Sequence, residues 1–421
     1  MIAYFIKLAT LLFGDTLFAL TMVGFVTIAL TSWIIYLSAR LFLSKEASLV
    51  AMSLWLFAPM TTYDLVKATT YNTPLTLFWA LTLYFVLKYI DANKTKYLYA
   101  IGASLGLALL SKYSAVVLIL ALLIFLISSK YRVLFKNQHF YTIILLALAL
   151  FSPVILWNYH HDWLSFLYQL DTHQIPSSEN PFLNIFKAIY NAFLPALNFM
   201  LIPFFVSFFK SAKSENEKIA TMVKLCQIVC ATVIGFYLVN ACSAKISSNW
   251  LAQYLISSAL LGGYCYEYLN YRKSNFLLLS VFAVVSFGLA INNSYKTNFV
   301  HRSNTPYFEL IRQVNKNYPD LPKTVFTSGW SEARMLYFLK SKPTIYTLDC
   351  NSFQNQYGIW SSEITKAVAK KSLKEVIFLD QNERLSCLKK YFDYCERLPT
   401  KPYYYKKREY SIYLYSCKNK A

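Results

Sequence analysis

The chain has 421 residues, of which 56% are hydrophobic, 18% aromatic and only 15% charged. A soluble globular protein carries about 25% charged residues, and the mean hydropathy here is positive, at +0.37. The apolar residues lie in long runs without polar alternation, which excludes a disordered or fibrous chain and a small disulfide scaffold. We therefore expect a membrane protein.

The net charge of +20 is unevenly divided along the chain. Residues 1–294 carry 19 Lys and Arg against 10 Asp and Glu, a net charge of +9, whereas residues 295–421 carry 22 against 11, a net charge of +11. Positive charge is therefore denser in the C-terminal part. Beside a membrane, such an excess favours membrane lipids with anionic headgroups as partners, and we expect no nucleic acid.

Ten segments within residues 1–294 are apolar and long enough to cross about 30 Å of hydrocarbon as helices. They predict a multi-span α-helical membrane domain over residues 1–294. The segments are residues 17–38, 47–62, 73–90, 97–111, 113–129, 141–157, 184–209, 220–240, 250–268 and 275–293.

The connections between these segments alternate in charge. One set carries 13 Lys and Arg, and the opposite set with the N-terminal segment carries only five. The positive-inside rule makes the first set cytoplasmic and places the loops 62–72 and 158–183, and everything after residue 294, outside. The cytoplasmic cations are Arg40, Lys45, Lys88, Lys94, Lys96, Lys130, Arg132, Lys136, Lys210, Lys213, Lys218, Arg272 and Lys273.

Ten spans also place the N-terminus outside, although residues 1–16 contain no signal peptide. The simplest interpretation is that a preceding span and its loop are missing from this chain. The alternative interpretation is one miscounted span.

Residues 295–421 are predicted to form a small extracytoplasmic α/β domain. Strands are predicted at residues 325–327, 344–348, 375–380 and 411–415, and helices at 305–317, 331–340 and 383–396. No glycine-rich nucleotide-binding motif precedes a helix. Three disulfide connectivities are open to the four cysteines of this part, which are Cys350, Cys387, Cys395 and Cys417.

Two polar clusters flank the early predicted spans on the outer side. Asn72 lies in a polar segment that opens a span before Pro74, so it is either a simple helix cap or a group that binds a sugar hydroxyl. Lys112 and Tyr113 form the tip of a helical hairpin. The lysine either extends to the interface or pairs with a lipid phosphate.

A third cluster concentrates histidines, carboxylates and aromatic residues in one outer loop. His160, His161 and Asp162 have the chemistry of acid–base groups or metal ligands, and Trp163 and Gln169 follow them. An aromatic belt explains the tryptophans but not the histidines. A divalent metal ion is the one cofactor this pattern suggests, and its ligands remain unknown.

A fourth cluster, Lys245 with Asn249 and Trp250, lies at the outer entrance of a later predicted span. An interfacial tryptophan beside a lysine is common in membrane proteins. Tryptophan next to asparagine also suits a sugar ring, because the indole stacks on its apolar face and the amide binds its hydroxyls.

The order of these features resembles the large membrane glycosyltransferases of the C-type fold. The similarity is to bacterial members of the protein-mannosyltransferase-like family, glycosyltransferase family 39, and to their aminoarabinose-transferase relatives. It extends over nearly the whole chain through motifs that are individually weak. These motifs are Ile6–Asp15, Ala58–Phe78, Gly106–Ala115, Ser152–Gln169, Lys245–Tyr254, Ser328–Tyr337 and Gln356–Trp360.

The resemblance implies transfer of a sugar from a polyprenyl-phosphate donor to a lipid or protein acceptor on the outer face of the bacterial cytoplasmic membrane. It implies inversion by direct displacement, with an acidic residue activating the acceptor and a basic residue holding the lipid phosphate. On this reading Lys112, Tyr113 and Lys245 bind the donor phosphate. The remaining polar and aromatic candidates bind sugar or acceptor: Asn72, His160, His161, Trp163, Gln169, Asn249 and Trp250.

The chain departs from the family pattern at both usual carboxylates. One belongs to the first outer loop, which lies upstream of the Ile6–Asp15 match, and the other is replaced here by Asn72. Asp162 and Asp64 are then the catalytic candidates. An inactive, truncated or degraded copy is one alternative. A lipid or polysaccharide transporter is another, although internal repeats and ionisable residues at mid-membrane are not evident.

Overall fold

The computed structural model describes residues 1–14, 17–58, 61, 70–171, 183, 186, 201–209, 216–241, 250, 252–268, 309–321, 324–328, 339–341, 343–348, 375–405 and 408–419. The chain divides into two compact units, Met1–Asn292 and Asn293–Ala421. The first unit is helical, and the second combines a five-stranded sheet with short helices.

The described helices of the first unit follow one another through short connections. Two 3₁₀ segments, Tyr113–Ala115 and Lys130–Lys136, flank α6. The helices are α1 (Ile2–Phe13), α2 (Leu17–Ala39), α3 (Lys45–Leu56), α4 (Asn72–Ala92), α5 (Thr95–Ser111), α6 (Val116–Ile127), α7 (Gln138–Tyr159), α8 (Leu164–Asp171), α9 (Leu201–Phe209), α10 (Glu217–Ala241) and α11 (Tyr254–Tyr268).

Several of these helices have the length and composition of membrane spans. Within the described residues, four helices pass this test, namely α2, α4, α7 and α10. The segments Tyr113–Ile127 and Lys130–Lys136 meet at a bend of 106°, and they add a fifth span if the two together count as one. The chain is therefore a multi-pass membrane protein. The count of ten spans stays a prediction, because several of the predicted segments fall wholly or partly outside the described residues.

Helices α4, α5 and α7 form a tightly packed group. A Cβ atom added at Gly102 or Gly106 of α5 would lie 2.8 Å from the carbonyl oxygen of Ile143 or Ala147 of α7, so only glycine permits this close approach. Between α4 and α5, Thr82 Oγ1 donates to Ser104 Oγ at 3.0 Å. The group brings the start of α4 next to the ends of α5 and α7.

We call this side the Lys112 end of the helical unit. The opposite side, formed by the end of α4, the start of α5, the Lys130–Lys136 segment and the start of α7, is the Lys130 end. The predicted charge alternation makes the Lys112 end the outer one and the Lys130 end the cytoplasmic one.

The second unit is built on a mixed sheet with strand order β2-β1-β3-β7-β4. Strands β2, β1 and β3 are parallel, whereas β7 runs antiparallel to both β3 and β4. A separate hairpin joins β5 to β6. The strands are β1 (Thr324–Thr327), β2 (Thr344–Thr347), β3 (Glu375–Asp380), β4 (Tyr394–Leu398), β5 (Tyr403–Tyr405), β6 (Arg408–Tyr410) and β7 (Tyr413–Lys418).

Both faces of this sheet are covered by apolar packing. Val325 and Ile377 lie in a cluster with Leu310 from the helical residues 309–317, and Phe326 and Phe378 lie in a second cluster. Successive side chains of a strand point to opposite faces of the sheet, so neighbouring residues pack into different apolar clusters.

Three of the predicted strands lie within one residue of β1, β2 and β3, and the fourth overlaps β7. The predicted helix at 383–396 is wrong in its second half, because only Leu385–Leu388 is helical and Tyr394–Leu398 is a strand. Cys395 in this strand lies opposite Cys417 of β7 and forms a disulfide with it. Residues 394–398 therefore pair with β7 as a strand, although their sequence pattern is helical. The β5–β6 hairpin was not predicted.

Candidate functional site

Lys112 and Asn72 meet at the Lys112 end. Lys112 Nζ donates to Asn72 Oδ1 at 2.9 Å, although forty residues separate them in sequence. The ammonium also lies 4.8 Å from the ring centroid of Tyr71, in the range of a cation–π contact. Asn72 is only 2% exposed and Lys112 is half-buried. The lysine is therefore directed onto an amide and an aromatic ring at the helix ends.

The start of α4 shows why the side chain of Asn72 is available for this contact. Its backbone N–H donates to Thr70 Oγ1 at 3.3 Å, and the N–H of Thr70 donates to Thr73 Oγ1 at 3.2 Å. The residue before the helix is Tyr71, which forms no side-chain cap hydrogen bond, and Asn72 is the first residue of the helix. Asn72 is thus not a helix cap here, and its amide binds Lys112 instead.

Tyr113 links the hairpin tip to α8. Its hydroxyl forms a 2.7 Å hydrogen bond with Ser165 Oγ, and its ring packs on Phe166 at 5.0 Å between centroids. Ser165 in turn donates through Oγ, at 2.8 Å, and through its backbone N–H, at 3.2 Å, to Asn158 Oδ1. Asn158 is fully buried and its Nδ2 donates to the carbonyl of Val154 at 2.9 Å. Three segments are joined by this network.

The turn between α7 and α8 has an unusual backbone. Asp162 and Trp163 have φ angles of 51° and 58°, the left-handed region that side chains other than glycine rarely adopt. The N–H of Trp163 donates to the carbonyl of Asn158 at 2.8 Å, the six-to-one bond typical of a left-handed helix end. Asp162, which lies in this turn, is exposed on the surface.

The two histidines contact aromatic residues rather than Asp162. His161 stacks on Trp157 with centroids 4.1 Å apart, and its Nδ1 donates to the carbonyl of Trp157 at 2.7 Å. That bond leaves Nε2 as the acceptor nitrogen of a neutral ring. His160 lies edge-on to Tyr159 at 5.4 Å. Among the described residues, no three His, Cys, Asp or Glu side chains lie close enough to hold a metal ion.

Two tryptophans present aromatic surface near this end of the unit. Trp163 is 45% exposed and stacks on Phe166 at 6.0 Å. Trp250 is partly buried, and its ring centroid lies 6.0 Å from that of Tyr237. Gln169 is exposed on α8. Three candidates fall outside the described residues, namely Asp64, Lys245 and Asn249.

The structure thus joins three of the four predicted clusters, and Trp250 of the fourth cluster packs on Tyr237. It also shows site residues that sequence reasoning missed, namely Tyr71, Asn158 and Ser165. Asn158 carried the clearest signal, since a carboxamide in the last turn of an apolar span needs a buried partner. The small hydroxyl residues gave no signal of this kind.

This arrangement has the parts needed to bind a lipid phosphate and a polar ring. The ammonium of Lys112 donates to Asn72, and the hydroxyl of Tyr113 belongs to the next residue in sequence. The exposed indole of Trp163 offers a stacking surface, and Asp162 offers a solvent-accessible carboxylate. Positioned cations act on phosphate leaving groups, and carboxylates act as bases.

Residues 1–157 match the model of the Dolichyl-phosphate-mannose-protein mannosyltransferase family. This segment contains Asn72, Lys112, Tyr113 and most of α7. The resemblance to the protein-mannosyltransferase-like family is thereby confirmed. The match covers 157 of the 421 residues, so over this segment the chain is similar to the mannosyltransferases of that family.

Among solved structures, the chain is similar to ArnT from Cupriavidus metallidurans. The apo structure matches with a TM-score of 0.69 and 12% identity, over 99% of this chain and 86% of ArnT. The structure of the same protein bound to Undecaprenyl phosphate matches with a TM-score of 0.67 and 11% identity, over 98% and 87%. At these identities the likeness establishes the fold alone. No curated protein sequence matches the chain.

Proposed function

We propose that the chain is a glycosyltransferase that moves a sugar from a polyprenyl-phosphate donor to a lipid or protein acceptor. The reaction takes place on the outer face of the bacterial cytoplasmic membrane, where the domain of residues 295–421 also lies. The observation that carries the proposal is the Lys112–Asn72 pair, which lies at the predicted outer end and inside the segment matched by the mannosyltransferase family model.

Lys112 and Tyr113, with Lys245, bind the phosphate of the donor. A phosphate accepts charge-assisted hydrogen bonds from an ammonium, and a half-buried ammonium is less screened by water than an exposed one. The solved ArnT complex with Undecaprenyl phosphate supports a lipid phosphate as the ligand of this fold. The polyprenyl chain extends from the phosphate into the bilayer.

The sugar and the acceptor are bound by the aromatic and amide groups around this phosphate site. Trp163 stacks on a sugar face, and Gln169 and the free nitrogen of His161 bind hydroxyls. Asn72 orients Lys112 and binds the sugar that is attached to the phosphate. His160, Asn249 and Trp250 complete this set of groups.

Asp162, with Asp64 as the alternative, activates the acceptor. The carboxylate takes the proton of the acceptor hydroxyl or amine as that group attacks the anomeric carbon from the face opposite the phosphate. The new bond forms as the bond from the anomeric carbon to the phosphate oxygen breaks, so the sugar configuration is inverted. The developing charge on the leaving phosphate is stabilised by Lys112.

The test is transfer by the full chain in proteoliposomes from undecaprenyl-phosphate donors that carry radiolabelled hexoses or pentoses. Lys112→Gln is compared with Lys96→Gln, a lysine at the opposite end of α5. We expect Lys112→Gln to lower donor affinity and transfer by about 10- to 100-fold, the value of one charge-assisted hydrogen bond, and Lys96→Gln to change neither.

Binding of undecaprenyl phosphate without any transfer would indicate an inactive copy and overturn the enzymatic part of the proposal. Absence of both binding and transfer, or equal loss in the two variants, would overturn it entirely. Lipid or polysaccharide flux across the same proteoliposomes would instead indicate a transporter.

A further inference from the structure

A second lipid site lies at the Lys130 end, away from the site described above. An apolar cavity of about 310 Å³ lies among α4, α5, α6 and α7, and the described side chains that line it are entirely apolar or aromatic. The lining includes Leu105 and Ile101 of α5, Leu122 of α6, and Ile144 and Leu148 of α7. Ile144 and Leu148 are 42% and 46% exposed, so the cavity opens towards the surface that faces the bilayer.

A polar cavity of about 480 Å³ adjoins the apolar one. It is lined by the charged residues Lys130, Arg132, Lys224 and Glu217, by Ser128, Ser129 and Thr221, and by the apolar Ile127 and Ala220. Tyr131 is among the residues that line each of the two cavities, and its ring has two aromatic neighbours. That ring stacks on Phe125 at 5.9 Å and lies edge-on to Tyr89 at 6.1 Å. Tyrosines at this position mark the boundary between hydrocarbon and headgroups.

The charge of the polar cavity favours an anion. Its described ionisable side chains are three cations and one carboxylate, and Lys130 forms a 2.8 Å ion pair with Glu217. The excess positive charge therefore belongs to Arg132 and Lys224. Lys224 donates one hydrogen bond to the carbonyl of Ser128, and an ammonium has three N–H groups. A guanidinium beside an ammonium suits a phosphodiester.

The closely packed helices α5 and α7 both line the apolar cavity. Gly102 and Gly106 hold these two helices in backbone contact along one side, with added Cβ atoms only 2.8 Å from carbonyl oxygens of α7. The α5 side chains that line the cavity, such as Leu105, belong to this fixed pair. An empty apolar cavity open to the bilayer is filled by hydrocarbon, because voids cost packing energy.

We propose that this pair of cavities binds an anionic phospholipid of the cytoplasmic leaflet. One acyl chain occupies the apolar cavity, the glycerol lies beside Tyr131, and the phosphate is bound by Arg132 and Lys224. The assignment to the cytoplasmic leaflet follows from the predicted orientation of the Lys130 end. The donor site lies at the opposite end of α6, so the two lipids bind independently.

The experiment uses the full chain in nanodiscs that contain phosphatidylglycerol or phosphatidylcholine with identical acyl chains, each carrying a photoreactive group in one chain. Crosslinked peptides are located by mass spectrometry. We expect phosphatidylglycerol to label the residues that line the apolar cavity. Each surface cation contributes about fivefold to the binding of an anionic lipid, so labelling falls roughly 30-fold in Arg132→Gln/Lys224→Gln.

Two further variants separate the two cavities. Lys94→Gln/Lys96→Gln removes the same charge from the same end without touching either cavity, and leaves labelling unchanged. Leu122→Trp fills the apolar cavity and abolishes labelling while the cations remain. Circular dichroism and gel filtration confirm that each variant is folded, and if Leu122→Trp does not fold, Ile144→Trp replaces it.

Equal labelling by the two lipids, or equal loss in both double variants, would overturn the proposal. So would labelling of the same peptides that undecaprenyl phosphate displaces more effectively than phosphatidylglycerol, because the occupant would then be a polyprenyl phosphate. The readout does not depend on transfer activity, so it remains valid if the proposed function fails.

Discussion

The two ends of the helical unit hold their polar side chains in opposite ways. At the Lys112 end, Asn72 and Asn158 are 2% and 0% exposed and form side-chain hydrogen bonds between segments. At the Lys130 end, Lys130 and Glu217 form an ion pair while their side chains remain 56% and 72% exposed. Buried polar contacts are costly to break, whereas exposed ion pairs contribute little. The difference predicts where substitutions have large effects.

The largest effect is expected from the exposed carboxylate at the Lys112 end. Asp162→Asn keeps the size of the side chain but removes the proposed base, so transfer falls by about 100-fold or more while binding of undecaprenyl phosphate is unchanged. Single-turnover transfer and lipid binding measure the two quantities. Asp91→Asn is the matched control, because it only weakens a 3.1 Å ion pair with Lys218 at the other end. Full transfer by Asp162→Asn would exclude Asp162 as the base and leave Asp64.

The next effect concerns the stability of the network below the site. Asn158→Leu removes three hydrogen bonds, two to Ser165 and one to Val154. At about 1 kcal/mol for each hydrogen bond, the free energy of unfolding falls by roughly 3 kcal/mol. Unfolding in mixed detergent micelles measures it. Asn137→Leu, at the start of the same helix, loses one cap bond to His139 and costs about 1 kcal/mol. An equal loss of unfolding free energy in the two variants would mean that the burial of Asn158 contributes nothing to stability.

Asn72→Leu tests whether the amide positions Lys112. The variant removes the acceptor 2.9 Å from the ammonium and places an apolar side chain against it. We expect the affinity for undecaprenyl phosphate to fall by about tenfold. Equilibrium binding in nanodiscs measures it, with Asn137→Leu again as the control. An unchanged affinity would show that Lys112 binds phosphate without help from Asn72.

A smaller effect is expected from one hydroxyl. Tyr113→Phe keeps the contacts with Phe166 and Phe151 but loses the 2.7 Å bond to Ser165, so transfer falls by about fivefold. Tyr141→Phe at the Lys130 end loses a 3.2 Å bond to the carbonyl of Phe135 from an exposed ring. We expect that variant to behave as the parent chain. If both variants lose activity equally, the hydroxyl of Tyr113 has no special role.

The smallest effect is expected at the Lys130–Glu217 pair. Glu217→Gln breaks an exposed ion pair, so the thermal midpoint is expected to shift by less than the error of the measurement, at low and at high salt. A large shift that disappears at high salt would contradict the contrast between the two ends.

Much of this organisation is predictable from the sequence, and the exceptions have physical causes. Lys112 and Asn72 are each predictable as site residues, because a lysine at a hairpin tip and an amide before a proline can be recognised from the neighbouring sequence. Their contact was not predicted, because it depends on how α4 packs against α5. The predictions for the sheet unit failed where pairing with β7 turns Tyr394–Leu398 into a strand. Local patterns carry no information about that pairing.

The glycine pair of α5 has a mechanical consequence. Gly102 and Gly106 place α5 in backbone contact with α7. Lys112 continues from one of these helices, and Asn158 lies in the last turn of the other. The spacing between the two sides of the site is therefore set inside the bilayer. One methyl group added at Gly106, six residues from Lys112, would alter the reach of the ammonium without changing any residue that contacts a substrate.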